Sequence, residues 1–261
     1  MTSKYHEVPE YVIIVPSRKR EHNMPTIMEL LPTAYVTVDE REIENYRPYV
    51  PEDRLIPHPP MKAGLFAVYN WMMRQWDEPV MIEIDDDFRG IKCNVGSRRF
   101  ITEPDEILAI LENAIVACTD LGVTAFGFSR TPNTSVIHPE DRPIVPVQSI
   151  CGCFGVMGNA RYRPYDTKYL GRGDVDWTLR TLLEDRVVYA DLRFFFDCGG
   201  AFAGRGGNVG IVTPEDFERT SRLLKEKWGK HAKFKAPAYV KSRQVAPISL
   251  DMSRTNRSAQ K

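Results

Sequence analysis

Apolar positions along the chain follow two rhythms in turn. Tyr11 to Val15 is a short β-branched run ended by Pro16, which predicts a strand. Ile27, Leu30 and Leu31 recur at helical spacing and stop before Pro32. Ala34 to Val38 predicts a second strand with the acidic tip Asp39-Glu40. Residues 45–62 are rich in proline and charge and predict a loop. From Gly64 to Trp76, Leu65, Val68, Tyr69 and Met72 share one helical face. Pro79 to Ile84 is almost continuously apolar, as a central parallel strand is when both faces are buried. It runs directly into Asp85-Asp86-Asp87-Phe88.

The next helix is predicted with Thr102 as N-cap and Pro104 in its first turn, ending at Gly122. Val123 to Phe128 predicts a strand, 129–143 a polar loop containing His138, and 143–158 one or two more strands. Asp174 opens a helix through Leu179, Leu182 and Leu183, and 187–196 reads as one aromatic strand. A glycine cluster at 199–210 precedes Thr213-Pro214-Glu215-Asp216, which starts a last helix that Gly229 closes. Strands alternating with helices predict an α/β fold with a mostly parallel or mixed sheet flanked by helices. Ligands of such sheets sit at the carboxyl ends of strands. That edge collects Pro16-Ser17-Arg18, Asp39 and the aspartate run.

Bulk composition narrows the reading without deciding it. The 261 residues suffice for one large domain, and 43% hydrophobic against 27% charged residues allow a sizeable core. Lys plus Arg equals Asp plus Glu at 35 each, so overall charge points to no nucleic-acid or membrane partner. No apolar run approaches the roughly 18 residues that span a bilayer, and the N-terminal apolar stretch is too short for a signal peptide. Five cysteines without CxxC spacing are expected as reduced thiols, and Cys151-Gly152-Cys153 as small residues in a tightly packed strand. Together these predict a cytoplasmic protein.

Three adjacent carboxylates after a buried strand need a compensating charge. Two such charges about 4 Å apart repel by roughly 4 kcal/mol at an effective dielectric near 20. A divalent cation such as Mg²⁺ or Mn²⁺ reverses that sign and brings substrate phosphates with it. On an extended chain Asp85 and Asp87 point to one side and Asp86 to the other. The alternative is a solvated turn. Arg18 and its basic neighbours are read as phosphate ligands or plain basic surface, and Asp39 as a ribose ligand or a turn acid. Asp174 and Asp176 open a helix and serve either the cap and dipole or as a general base, with Asp176 slightly preferred. Gly173 and Trp177 flank them, and the indole is expected to stack on an acceptor. The glycine cluster with Arg205 is read either as closing over the diphosphate, with Arg205 meeting the leaving charge, or as a mobile hairpin tip. Asp197 and His138 are expected not to be metal ligands.

These segments, VIIVPSRKR, AYVTVDE, VMIEIDDDF and GDVDWTLRTLL, resemble GT-A glycosyltransferases over about residues 10 to 200. Within that fold the chain is most similar to the TET/JBP-associated glycosyltransferases. The cues are the early Pro-Ser-Arg, the Asp-Asp-Asp-Phe strand end and the Gly-Asp-x-Asp-Trp helix start. The resemblance implies a GT-A-like Rossmannoid domain over residues 1–240. Its nucleotide-sugar half would span about 10–128 and its acceptor half 129–240; the Lys- and Arg-rich end at 241–261 is read from its composition as a basic flexible tail. It implies Mn²⁺ or Mg²⁺ held by Asp87 and Asp85, and a UDP-sugar donor contacted by Pro16, Ser17, Arg18, Asp39, Asp85, Asp86 and Arg205. It further implies catalysis by Asp176 or Asp174, and an acceptor, touched by Trp177 and Gly173, that is DNA carrying hydroxymethylated pyrimidines. A glycan, protein or small-molecule acceptor, or nucleotidyl transfer to a sugar phosphate, are the competing readings. The C-terminal histidine that supplies a metal ligand in many GT-A enzymes has no clear counterpart, His231 and His138 being poor matches.

Overall fold

The computed structural model describes residues 7–62, 64–96, 98–135, 137–146, 148–199, 206–234 and 248–250. In chain order the first elements are β1 (Tyr11–Ser17), α1 (Met24–Leu30), β2 (Tyr35–Asp39), α2 (Ile43–Tyr46), β3 (Leu55–His58), α3 (Leu65–Met72) and β4 (Val80–Ile84). There follow β5 (Phe88–Cys93), β6 (Phe100–Ile101), α4 (Pro104–Leu121), β7 (Ala125–Phe128), β8 (Ile144–Val145) and β9 (Cys153–Met157). The chain continues through α5 (Gly173–Asp185), β10 (Tyr189–Asp191), β11 (Phe194–Cys198), α6 (Pro214–Trp228), β12 (Ala232–Phe234) and β13 (Ile248–Leu250).

One eight-stranded sheet, in the order β3-β2-β1-β4-β9-β7-β10-β8, organises the molecule. β1, β2, β3 and β4 pair in parallel. β9 runs against both β4 and β7, β10 lies parallel to β7, and β8 runs against β10. All the strands except β8 and β9 therefore point one way, and their carboxyl ends share one edge. Alternation along β1 assigns its side chains to two layers. Ile13 and Val15 join Met24, Ile27, Leu111 and Ile115 on the α1 and α4 side. Val12 and Ile14 join Phe66, Tyr69, Met72 and Trp177 on the α3 and α5 side. Every residue of β4 is buried, Glu83 included, as suits an almost continuously apolar strand covered on both faces.

The departures from expectation have local causes. Pro16 does not end β1, because Val15 to Ser17 pair with β2 alone, whereas β4 pairs only with Tyr11 to Ile14. A missing N–H is tolerated where a strand has one neighbour. The same holds for Pro57 in β3, an edge strand inside the stretch expected to be loop. α4 starts one residue later than predicted, on Glu103 and without a side-chain cap, and ends on left-handed Gly122 at φ 64°. α6 begins with the reciprocal Thr213–Asp216 capping box. The run 187–196 is two strands: β10 lies between β7 and β8 in the large sheet, and β11 joins β5 and β6 in a second, three-stranded sheet. Among the described residues no helix is long and apolar enough to cross a membrane. The basic segment 241–261 lies outside the described residues, apart from 248–250.

Candidate active site

The shared carboxyl edge opens into a cleft of about 620 Å³. Pro16, Ser17, Arg18, Asp39, Asp85, Asp86, Asp87 and Asp174 all line it. Strand ends thus deliver the residues expected for the donor, and the start of α5 delivers one acid from the other side.

The aspartate run turns instead of staying extended: the Phe88 N–H donates to the Asp85 carbonyl at 3.1 Å. Asp86 is turned inward. Its carboxylate accepts from Ser17 Oγ at 2.7 Å and Arg20 Nη1 at 2.7 Å, while Asn23 Nδ2 donates to its carbonyl at 3.1 Å. Tyr46 Oη lies 2.9 Å from Ser17 Oγ and accepts from the Arg20 N–H at 3.1 Å. Ser17 and Asp86 therefore line the cleft mainly as a brace that holds Arg20. Arg20 also donates to Asp87 Oδ2 at 3.1 Å.

Asp85 and Asp87 remain together. One ligand oxygen of each lies within 4.8 Å of the other and of Cys198 Sγ. Glycines make room for these carboxylates. A Cβ on Gly199 would stand 2.6 Å from Asp87 Oδ2, and one on Gly152, at φ +79°, 3.4 Å from Asp85 Oδ2. Burial pushes the Asp85 carboxyl well above the usual range, and the charges of Asp87 and Asp86 push it further. Burial also raises Glu83, behind Asp85 on the same strand, with Asp85 adding to the shift. Arg20 is the cation that opposes the rise at Asp85. A surplus of negative charge with two convergent oxygens and a thiol suits a hard or borderline divalent cation.

Around this centre, Asp39 is held by Arg41, whose Nε and Nη2 donate at 2.8 and 2.6 Å and keep the carboxyl below its ordinary pKa. His58 stands opposite Asp39 in the β2–β3 register, is buried and lines the cleft. Sequence reasoning misses it, because Pro57 interrupts the strand pattern around it. Arg18 lines the cleft, but its Nη1 donates to the carbonyls of Gly207 and Val209 at 2.8 and 3.2 Å. It ties the later part of the glycine cluster to β1. Arg205 lies outside the described residues.

The acceptor side corrects three expectations. Asp174 faces the cleft, where burial raises its carboxyl pKa and Arg130 and Arg172 oppose the rise. Asp176 does not face the cleft. It is fully buried and accepts from Arg180 Nε at 3.0 Å, Lys227 Nζ at 2.8 Å and Trp228 Nε1 at 2.9 Å, so it fastens α6 to α5. Trp177 is also fully buried, with Nε1 donating to the Arg163 carbonyl at 2.8 Å. Its ring ends a stack with Tyr165 (5.6 Å) and Phe66 (5.2 Å from Tyr165), and those two rings, not the indole, line the cleft. Gly173 serves packing: a Cβ there would lie 2.8 Å from the Phe66 ring. Asp197 pairs with Arg89 and Lys92, as suits an acid outside the site. Cys198 carries no local signal in the sequence, because only the pairing of β11 with β5 brings it beside the aspartates.

Comparison with known proteins agrees with this geometry. The family model described as TET-Associated Glycosyltransferase matches residues 11–193. No curated protein matches the chain in sequence. Among solved structures, S. aureus TarS 1–349 in complex with UDP is 12% identical, with a TM-score of 0.50 over 84% of this chain and 65% of that one. This chain therefore spans slightly less than two thirds of that structure. A mycobacterial protein is 9% identical, with a TM-score of 0.50 over 93% of this chain and 83% of that one. At these identities the likeness shows the shared fold.

Proposed function

Because the chain belongs to the TET-associated glycosyltransferase family, we propose that this glycosyltransferase moves a sugar, glucose in the first instance, from a UDP-sugar to the hydroxymethyl group of a pyrimidine in DNA. The observation that carries the reading is the meeting, in one cleft, of Asp85 and Asp87 from the end of β4 with Asp174 from the start of α5. The first pair suits a diphosphate with its cation, and the second acid suits an acceptor hydroxyl. That TarS binds UDP in the same fold supports the choice of donor nucleotide.

Asp85 and Asp87 would hold Mn²⁺ or Mg²⁺. When bound, such an ion neutralises charge on the departing diphosphate. The remaining roles fall to the protein's own groups. Asp39, pre-set as a carboxylate by Arg41, accepts hydrogen bonds from ribose hydroxyls. Arg20, fixed by Asp86 and Ser17, offers a positive charge beside Asp87. Asp174 takes the proton of the acceptor hydroxyl as its oxygen bonds to the anomeric carbon. The bond from that carbon to the diphosphate breaks, and UDP leaves with the electron pair. Phe66 and Tyr165 offer an apolar wall to a sugar or a base. A pyrimidine in a duplex must leave the stack to reach the cleft, at a cost of a few kcal/mol.

The test is transfer of labelled glucose from UDP-glucose, with Mn²⁺, to DNA containing 5-hydroxymethylpyrimidines, beside the same DNA carrying 5-methylpyrimidines. Label is expected only on the hydroxymethylated DNA. Hydrolysis of UDP-glucose with no label on that DNA, under conditions where a glycan or small-molecule acceptor is labelled, would reject the DNA acceptor.

A further inference from the structure

We propose that the cation site is completed by a thiolate, with Cys198 Sγ joining one oxygen each from Asp85 and Asp87. The inference rests on the metal-dependent reading above and adds a ligand of a different chemical kind.

Two observations carry it. The first is proximity. The two carboxylate oxygens and Sγ all lie within 4.8 Å of one another. Ligands about 2.1 Å (oxygen) and 2.3 Å (sulfur) from a common ion stand about 3.0–3.6 Å apart at angles of about 90–110°, so at most about 1–2 Å of side-chain adjustment closes the set on a cation. Among the described residues no histidine joins this group.

The second is how the chain brings a residue from β11 to the end of β4. Phe196 pairs with Ile91 but Cys198 with Phe88, so β5 spends three steps against two on β11. A bulge of this kind re-aims side chains and is common beside active sites. Gly90 lies in the irregular stretch at φ +138°, and a Cβ there would stand 2.6 Å from the Ile101 carbonyl oxygen. The shift sets Cys198 opposite the residue that follows Asp87. Phe196 holds the strand in place, 5.3 Å from the Phe88 ring and 4.3 Å from that of Phe128. The Gly199 N–H donates to the Asp87 carbonyl at 3.2 Å, tying the two ligand segments together.

A ligand set of two oxygens and one sulfur is softer than an all-oxygen one and favours Mn²⁺, Co²⁺ and Cd²⁺ over Mg²⁺. Binding releases the thiol proton to solvent as the metal–sulfur bond forms.

The experiment is Co²⁺ titration of the full chain with UDP, followed by d–d absorption and by the near-ultraviolet thiolate-to-Co²⁺ charge-transfer band. Wild type is expected to show both. Cys198→Ser is expected to lose the charge-transfer band and at least about tenfold in Cd²⁺ affinity, since loss of an outer-shell partner alone costs that much. Cys151→Ser, which removes another thiol bordering the cleft, is expected to keep the band. Co²⁺ binding by wild type with d–d bands but no charge-transfer band would overturn the thiolate and leave the metal reading intact. A band that survives in Cys198→Ser and disappears in Cys151→Ser would do the same. No saturable Co²⁺ or Mn²⁺ binding with UDP would remove the metal reading itself. The wild-type spectrum decides the question even if Cys198→Ser proves unstable.

Discussion

The end of β4 and the start of α5 each carry two aspartates separated by one residue, and they treat them in opposite ways. At the end of β4 the chain leaves the sheet in a turn, and Asp85 and Asp87 converge. At the start of α5 the helix has already begun, and each step rotates by about 100°. Asp174 and Asp176 therefore point roughly 200° apart, one into the cleft and the other into the seam with α6. The same spacing yields a pair in one region and a division of labour in the other. What decides is the backbone beneath the side chains, not the sequence motif.

That contrast can be attacked from both ends. The largest effect is expected at Asp174, where Asp174→Asn removes the acid proposed to take the acceptor proton. Turnover should fall by roughly 10²–10⁴ while UDP-sugar binding, measured by calorimetry, stays near wild type. If binding falls and turnover per bound donor does not, the two regions do not divide the work as described. Next comes Asp87→Ala, expected to lower turnover by roughly 10²–10³ and to abolish Mn²⁺ binding measured by electron paramagnetic resonance, with the circular dichroism spectrum unchanged. Retained Mn²⁺ affinity would break the convergence claimed for the β4 end.

Asp176→Asn should act on stability. Breaking a buried ion pair costs about 3–5 kcal/mol. About 3 kcal/mol is expected here, because Arg180 and Lys227 keep side-chain exposures of 22% and 36%. Urea unfolding checks this, and turnover of the folded fraction should change only a few-fold. A loss of turnover like that of Asp174→Asn, with stability intact, would restore Asp176 as the base. The smallest effect lies in pH dependence. Burial raises the Asp174 pKa, and a base works only when deprotonated. Turnover should therefore fall with acid at a pH above the ordinary aspartate value of about 3.9. In Asp174→Asn that acid limb should vanish from the residual rate.

Elements that announce themselves locally are legible in the sequence alone. β4 shows in its nearly continuous apolar run, and α6 in a capping box that needs only four residues. The strand-end location of Ser17, Asp39 and the aspartates follows from the same logic. What escapes depends on partners far away in the chain. β3 carries Pro57 and reads as loop until an edge position excuses the missing N–H. The stretch 187–196 looks continuous because nothing local marks the switch between sheets after Asp191. Trp177 carries the same signal whether it faces a sugar or the core, and only the Phe66–Tyr165 stack decides. Cys198 is the extreme case, since its neighbours across the cleft lie more than a hundred positions earlier.

The placement of β11 also bears on when the site comes into being. Its partner β5 is made early, but β11 is the last strand added to the body that surrounds the cleft. A chain emerging from the ribosome can assemble β1 to β4 and still expose an unguarded cluster of acids. Contacts between such distant segments form slowly. Ion capture would then mark the end of synthesis of this body, and nascent chains shorter than about residue 198 would bind the cation poorly.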